Sequence, residues 1–262
     1  MWDIHAHILP GLDDGPRNLG ESLATLRALA HEGVTHIVAT PHFNSHYPRI
    51  PATEVQARVD ELQQTAYAYG LPVALFAGHE IHLDADVEPA LMQRRASMIH
   101  NGPYFLLELP SQSFPVFLPS LIGQFRLAGL IPVLAHVERY RPTHENVDVL
   151  LPLLEAGALL QVTASSLVGQ FGPAVRQTAE TLLRRDLVHV LASDVHAITD
   201  RPARFAEGAR AAESLVGTER VLELTDDVPQ AIVRGLPVRV SAPVMEEVRR
   251  HHKFWPLNSR SR

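Results

Sequence analysis

Residues 2–15 read WDIHAHILPGLDDG, from Trp2 to Gly15. The first half is a short apolar strand carrying Asp3, His5 and His7; the second is a Pro-Gly turn ending in Asp13 and Asp14. Strand side chains alternate between faces, so His5 and His7 share one face and can grip a single ion between them. Two imidazoles at period two, with carboxylates on the next loop, are poor filling for an apolar core. The stretch therefore predicts a strand whose C-terminal end carries chemistry.

The strands that follow end in the same way. Asn18 to Glu32 has helical periodicity, and Val34 to Thr40 is a strand leading into Pro41-His42. A helix around Thr53 to Tyr69 leads to PVALFAGHE, ending at Glu80, and a short helix over Leu83 to Arg95 leads to YFLLELP, with Glu108 near its end. A helix near Val116 to Ala128 feeds LIPVLAHVERY, which carries His136, Glu138 and Arg139. Helix Val147 to Ala156 precedes strand Ala158 to Thr163, and helix Pro173 to Arg185 precedes LVHVLASDVH, which closes on Asp194 and His196. A helix over Pro202 to Gly217 and short helices over Thr218 to Gly235 complete the pattern.

Apolar strands alternating with helices imply a parallel sheet covered by helices. Polar residues at the ends of many different strands favour a closed barrel, whose C-terminal rim gathers them, over an open sheet. The predicted fold is α/β, a single distorted TIM-like (β/α)7 barrel with a metal site at that rim. It spans residues 1–235, followed by a basic C-terminal extension, 236–262.

Composition narrows the chemistry. At 262 residues and 46% hydrophobic content the chain can bury a large core, and its net charge of -6 with no basic stripe argues against general nucleic-acid binding. There is no Cys, which removes thiol catalysis, disulfides and sulfur-ligated metals; Lys253 is the only lysine, so no P-loop or Schiff-base lysine is available in the body of the chain. No apolar run reaches membrane-spanning length and no leader precedes the first strand, so the expectation is a cytoplasmic protein without membrane insertion.

The strand-end groups are His5, His7, Asp14, His42, Glu80, Glu108, His136, Asp194 and His196. At about three or four protein ligands per ion they suit two or three divalent ions with a bridging carboxylate. Nitrogen and oxygen donors fit manganese, iron, zinc or magnesium. Asp13 competes with Asp14 as a ligand, and spacing does not choose between them. Asp3 is predicted to hold one imidazole from behind rather than to ligate. Arg139 and Arg201 lie where a phosphate would arrive, and a guanidinium fork matches phosphate oxygens in pairs. His79 is out of phase with Glu80, and His31, His36, His100, His144 and His189 read as ordinary structural histidines; His46 and His82 lie nearer the rim.

DIHAHILPGLDDGP, the TPH at Thr40 to His42, GHEI at Gly78 to Ile81, HVERY at His136 to Tyr140 and SDVHAITDRP at Ser193 to Pro202 resemble the polymerase and histidinol phosphatase superfamily. Within it they are similar to the manganese-dependent protein tyrosine phosphatases of bacterial capsule and exopolysaccharide operons, the CpsB/CapC type. The likeness runs to about Gly235, and the DDG and HxERY elements belong to that branch. It implies one ion on His5, His7, Glu80 and Asp194, a second on Glu80, Glu108 and His136, and a third on Asp14, His42 and His196, with Glu80 bridging and manganese as the metal. It also implies that Arg139 and Arg201 hold the substrate phosphate, and that the substrate is phosphotyrosine on a protein, an autophosphorylating tyrosine kinase. The basic extension lies outside the shared motifs and leaves self-association open. Rival readings are a small-molecule phosphatase of the same fold, such as one for histidinol phosphate, an amidohydrolase, which often needs a carboxylated lysine this chain lacks, and a non-catalytic metal-binding module.

Overall fold

The computed structural model describes residues 1–84, 86–198 and 202–238. Arg201 and most of the basic extension lie outside the described residues. Among the described residues nine short strands, β1 Trp2–Ala6, β2 His36–Ala39, β3 His42–Phe43, β4 Ala74–Ala77, β5 Glu80–His82, β6 Tyr104–Glu108, β7 Ile131–Leu134, β8 Leu159–Thr163 and β9 Val190–Ala192, pair in parallel throughout. The architecture is mixed α/β with parallel sheets.

The strands outnumber the seven predicted because two runs break. Pro41 has no N–H to offer a ladder, so the second run stops at β2 and restarts as β3. The third breaks between β4 and β5 at Gly78, which lies so close to β2 that a Cβ there would sit 2.9 Å from Cγ1 of Val38. The pairings accordingly form two sheets, β1-β2-β4 and β3-β5-β6-β7-β8-β9, rather than one continuous barrel sheet. Single hydrogen bonds cross the breaks, Gly78 N–H to the Ala39 carbonyl at 3.0 Å and Glu80 N–H to that of Pro41 at 3.1 Å. The last strand meets the first through a bridge between Ala6 and Val195, with His7 N–H on the Val195 carbonyl at 2.9 Å and Asp194 N–H on that of His5 at 2.8 Å.

Alternation along the strands divides the core. On β6, Phe105 and Leu107 join the larger apolar cluster with helix residues such as Leu26, Val55 and Phe125, while Tyr104 and Leu106 join a smaller one with Ile4, Val133, Leu159 and Val190. The helices between strands match their predicted positions. Leu19–His31 is capped by Asn18, whose side chain accepts from Glu21 N–H; Ala52–Ala68, Leu118–Leu127, Pro173–Arg184 and Phe205–Val216 follow. The predicted helix over Leu83 to Arg95 shortens to Val87–Met92, and Val147 to Ala156 begins as a 3₁₀ turn before Leu151–Glu155. Strand ends are thus left to converge at one end of the sheets.

Candidate metal centre

All nine predicted ligand residues meet there. Glu80, on β5 and almost fully buried, lies at the middle. Its Oε1 is 3.3 Å from His5 Nε2 and 2.9 Å from His136 Nε2; its Oε2 is 3.2 Å from His7 Nε2 and 3.1 Å from His42 Nδ1. Asp194 Oδ1 lies 3.2 Å from His5 Nε2, and Glu108 approaches His136 Nε2 at 3.8 Å. On the far side, Asp14 Oδ1 is 3.4 Å from His42 Nε2 and 3.2 Å from His196 Nε2.

Ligand-sized groupings are His7, Asp14, His42 and His196; His5, His7 and Glu80; and His42, Glu80 and Glu108. His7, His42 and Glu80 each belong to two of these, so the partition is more shared than three separate sets. His136 and Asp194 fall outside the groupings but touch Glu80 and His5. Both hold left-handed backbone, φ 35° at His136 and 49° at Asp194, a strain of about 1–3 kcal/mol each for a non-glycine residue. Such strain at two converging side chains is the pattern of a site held in place by the surrounding fold.

The acidic pair also separates. Asp14 faces His42 and His196, whereas Asp13 Oδ2 lies 2.7 Å from His7 Nδ1 and accepts from His42 N–H at 3.0 Å, and its Oδ1 accepts from Gly15 N–H at 2.9 Å. With a carboxylate on Nδ1, the Nε2 of His7 is free for a cation, and it lies 3.4 Å from Nε2 of His5. Two ring nitrogens brought that close, ringed by carboxylates and without sulfur, fit divalent ions with nitrogen and oxygen ligands. Asp3 departs from expectation. It holds no imidazole: Oδ1 accepts from the backbone N–H of Ser193 at 3.0 Å and of His5 at 3.3 Å, where the register of β1 against β2 slips, and burial raises its carboxyl to about 6.

The electrostatics follow from burial and proximity. Burial by itself depresses the imidazoles of His5, His7 and His42, but the facing carboxylates outweigh it and raise all three. Glu80, which burial alone would raise, is held well below the usual carboxylate range by the imidazoles around it. Glu108 is raised by burial and by repulsion from Glu80.

Arg139 stands on the 3₁₀ turn Val137–Arg139 after β7. Its Nη2 donates to Asp194 Oδ2 and, at 2.7 Å, to Thr163 Oγ1, and its guanidinium lies 4.1 Å from the Phe171 ring centroid. Sequence reasoning missed Thr163, Phe171 and the fully buried Gln161, although Gln161 and Thr163 are a visible polar alternation in the otherwise apolar β8. It also missed Tyr47, stacked on His42 at 5.4 Å, and Tyr140, whose hydroxyl accepts from Leu109 N–H at 2.8 Å. His79 keeps its structural reading: Nδ1 accepts from Ser97 N–H at 2.8 Å, and burial lowers its pKa to about 3.

Comparison with known proteins agrees with this geometry. The family model for capsular polysaccharide synthesis proteins CpsB/CapC matches residues 1–234. The chain belongs to the CpsB/CapC family. A CapC protein of Staphylococcus aureus is 36% identical over 77% of this chain and 79% of its own. YwqE of Bacillus subtilis, named a tyrosine-protein phosphatase, is 34% identical over 87% of this chain and 89% of its own. A crystal structure from the pair YwqE of Bacillus subtilis and CpsB of Streptococcus pneumoniae, described as unique metal-dependent tyrosine phosphatases, superposes with TM-score 0.89 at 32% identity, covering 93% of this chain and 98% of that one. A β-aspartyl dipeptidase from Fervidobacterium islandicum, at TM-score 0.55 and 15% identity over 88% of this chain and 72% of that one, shares the fold alone. No helix among the described residues is long and apolar enough to cross a membrane.

Proposed function

We propose that this CpsB/CapC chain is a metal-dependent phosphatase for phosphotyrosine on proteins, with a cytoplasmic tyrosine autokinase of capsule or exopolysaccharide synthesis as its substrate. The observation that carries the reading is the gathering of five imidazoles and four carboxylates with Glu80 at the middle, and with Arg139 anchored at the edge through Asp194. His5, His7, Asp14, His42, Glu80, Glu108, His136, Asp194 and His196 would hold two or three ions, manganese first among them, with Glu80 shared. Such ions acidify a water and neutralise phosphoryl charge. Glu80, buried and kept ionised, supplies negative charge on both of its oxygens. Asp13 orients His7, and Arg139 and Arg201 offer their guanidinium forks to phosphate oxygens. Residues 1–235 would form one domain, a distorted seven-unit barrel closed where Ala6 meets Val195, with 236–262 as its extension.

Purified protein should release phosphate from phosphotyrosine peptides, stop when chelated and recover with Mn²⁺, and His136→Ala should abolish turnover. Equal or faster turnover of histidinol phosphate would overturn the substrate while leaving the centre intact.

A further inference from the structure

β8 ends without an imidazole or a carboxylate, yet its Gln161 side chain, fully buried, reaches two ligand-bearing strands at once. Gln161 Oε1 lies 2.8 Å from the backbone nitrogen of His136 and 3.1 Å from Nδ1 of His5. A backbone N–H can only donate, so the atom at that end of the amide is its oxygen. The same oxygen then faces His5 Nδ1, which must be the donor, and the ring is left with its Nε2 lone pair aimed toward Glu80, Asp194 and His7.

We propose that Gln161 is the positioning residue of the centre: one amide oxygen sets both the tautomer of His5 and the backbone from which His136 projects. The inference rests on the proposed metal centre. Gln161 does not touch the cluster-facing nitrogens; it acts through two residues that do. Its own amide N–H₂ points along the strand to Thr163 Oγ1 at 3.5 Å, and that hydroxyl accepts from Arg139 at 2.7 Å. A single strand face thereby links an imidazole, a second ligand's main chain and the arginine. His7 has a counterpart in Asp13, a carboxylate on a loop. His5 instead has a neutral amide, which orients the ring without adding charge to an already acidic cluster.

The test compares Gln161→Leu, which keeps bulk and removes the acceptor, with Gln161→Glu, which keeps an acceptor at the same reach. Mn²⁺ affinity of the metal-free proteins is measured by competition with a fluorescent chelator, alongside their melting temperatures without metal. Loss of the acceptor should weaken Mn²⁺ binding about 10- to 100-fold, and Gln161→Glu should bind within a few-fold of wild type. A merely structural role would lower the metal-free melting temperature of Gln161→Leu without moving affinity, and that result overturns the proposal. So does equal weakening in both variants. A wild-type protein that binds no Mn²⁺ removes the centre and this inference with it, whereas wild-type binding matched by both variants removes the inference alone.

Discussion

Arg139 shows how much one side chain is asked to do. Nη2 holds Asp194 and Thr163, and the buried Nε lies 3.8 Å from Glu138 Oε1, so the guanidinium is anchored along one edge and Nη1 is the nitrogen left to meet a phosphate. Arg139→Ala should therefore lower kcat/KM on a phosphotyrosine peptide by about 10- to 100-fold, the worth of hydrogen bonds to a charged group, with metal content unchanged. Metal loss in elemental analysis of that variant would make Arg139 a support for Asp194 instead. Asp3 gives a second prediction. Its Oδ2 is buried without a partner, and its carboxyl rises from 3.8 to about 6, so ionisation is penalised in the folded protein. For an acid raised on folding, stability is complete below the unfolded value and declines as pH climbs through the folded one. In metal-free protein, Asp3→Asn should thus gain on wild type by about 3 kcal/mol between pH 4 and pH 8, measured by urea unfolding. The imidazoles and carboxylates were legible in the sequence because all but Asp14, which lies on the loop after β1, stand at or beside a strand end, where a polar residue interrupts an apolar run. Gln161 was not: an amide facing inward on a strand has the same spelling as one facing water.

At the scale of elements, the alternation of strand and helix was legible because each helix carries its apolar stripe and each strand its buried run. The breaks after β2 and β4 were not, since Pro41 and Gly78 act through the ladder and through a close approach that only coordinates reveal. The helix Phe205–Val216 has a similar hidden constraint. Gly208 lies so near the 3₁₀ turn Ala164–Val168 that a Cβ would fall 2.2 Å from the Ala164 carbonyl oxygen, a backbone atom that cannot rotate aside. Gly208→Ala should cost about 1–3 kcal/mol and lower the melting temperature. Because the turn begins just after Thr163, activity should fall with it. Gly123, in the helix Leu118–Leu127, is the control: nothing lies within 4 Å of its added Cβ, so Gly123→Ala should stabilise by about 0.5–1 kcal/mol without changing turnover.

For the whole molecule, the centre is also a fastener. His5 and His7 lie on or just after β1, Asp194 and His196 follow β9, and the two strands meet along a short seam, the Ala6–Val195 bridge and the hydrogen bonds beside it. Ions bound to both sides would reinforce that seam, and anything binding the folded state alone raises its stability by mass action. The effect should depend on pH in a direction fixed by the imidazoles. His5, His7 and His42 all have folded pKa values raised above the ordinary 6.5, as their carboxylate partners outweigh burial. In metal-free protein the stability from those ion pairs is complete below 6.5 and is lost as pH rises through the raised values. A divalent ion must displace the same protons, so its affinity moves the opposite way and strengthens with pH. The depressed carboxylates Glu80, Asp14 and Asp194 lose their protons well below this window and do not alter the sign. The melting-temperature gap between Mn²⁺-loaded and chelator-treated protein should therefore widen from pH 6 to pH 8, with proton release on binding seen by calorimetry in buffers of different ionisation enthalpy. A gap that narrows over that range would mean the ions bind away from these histidines.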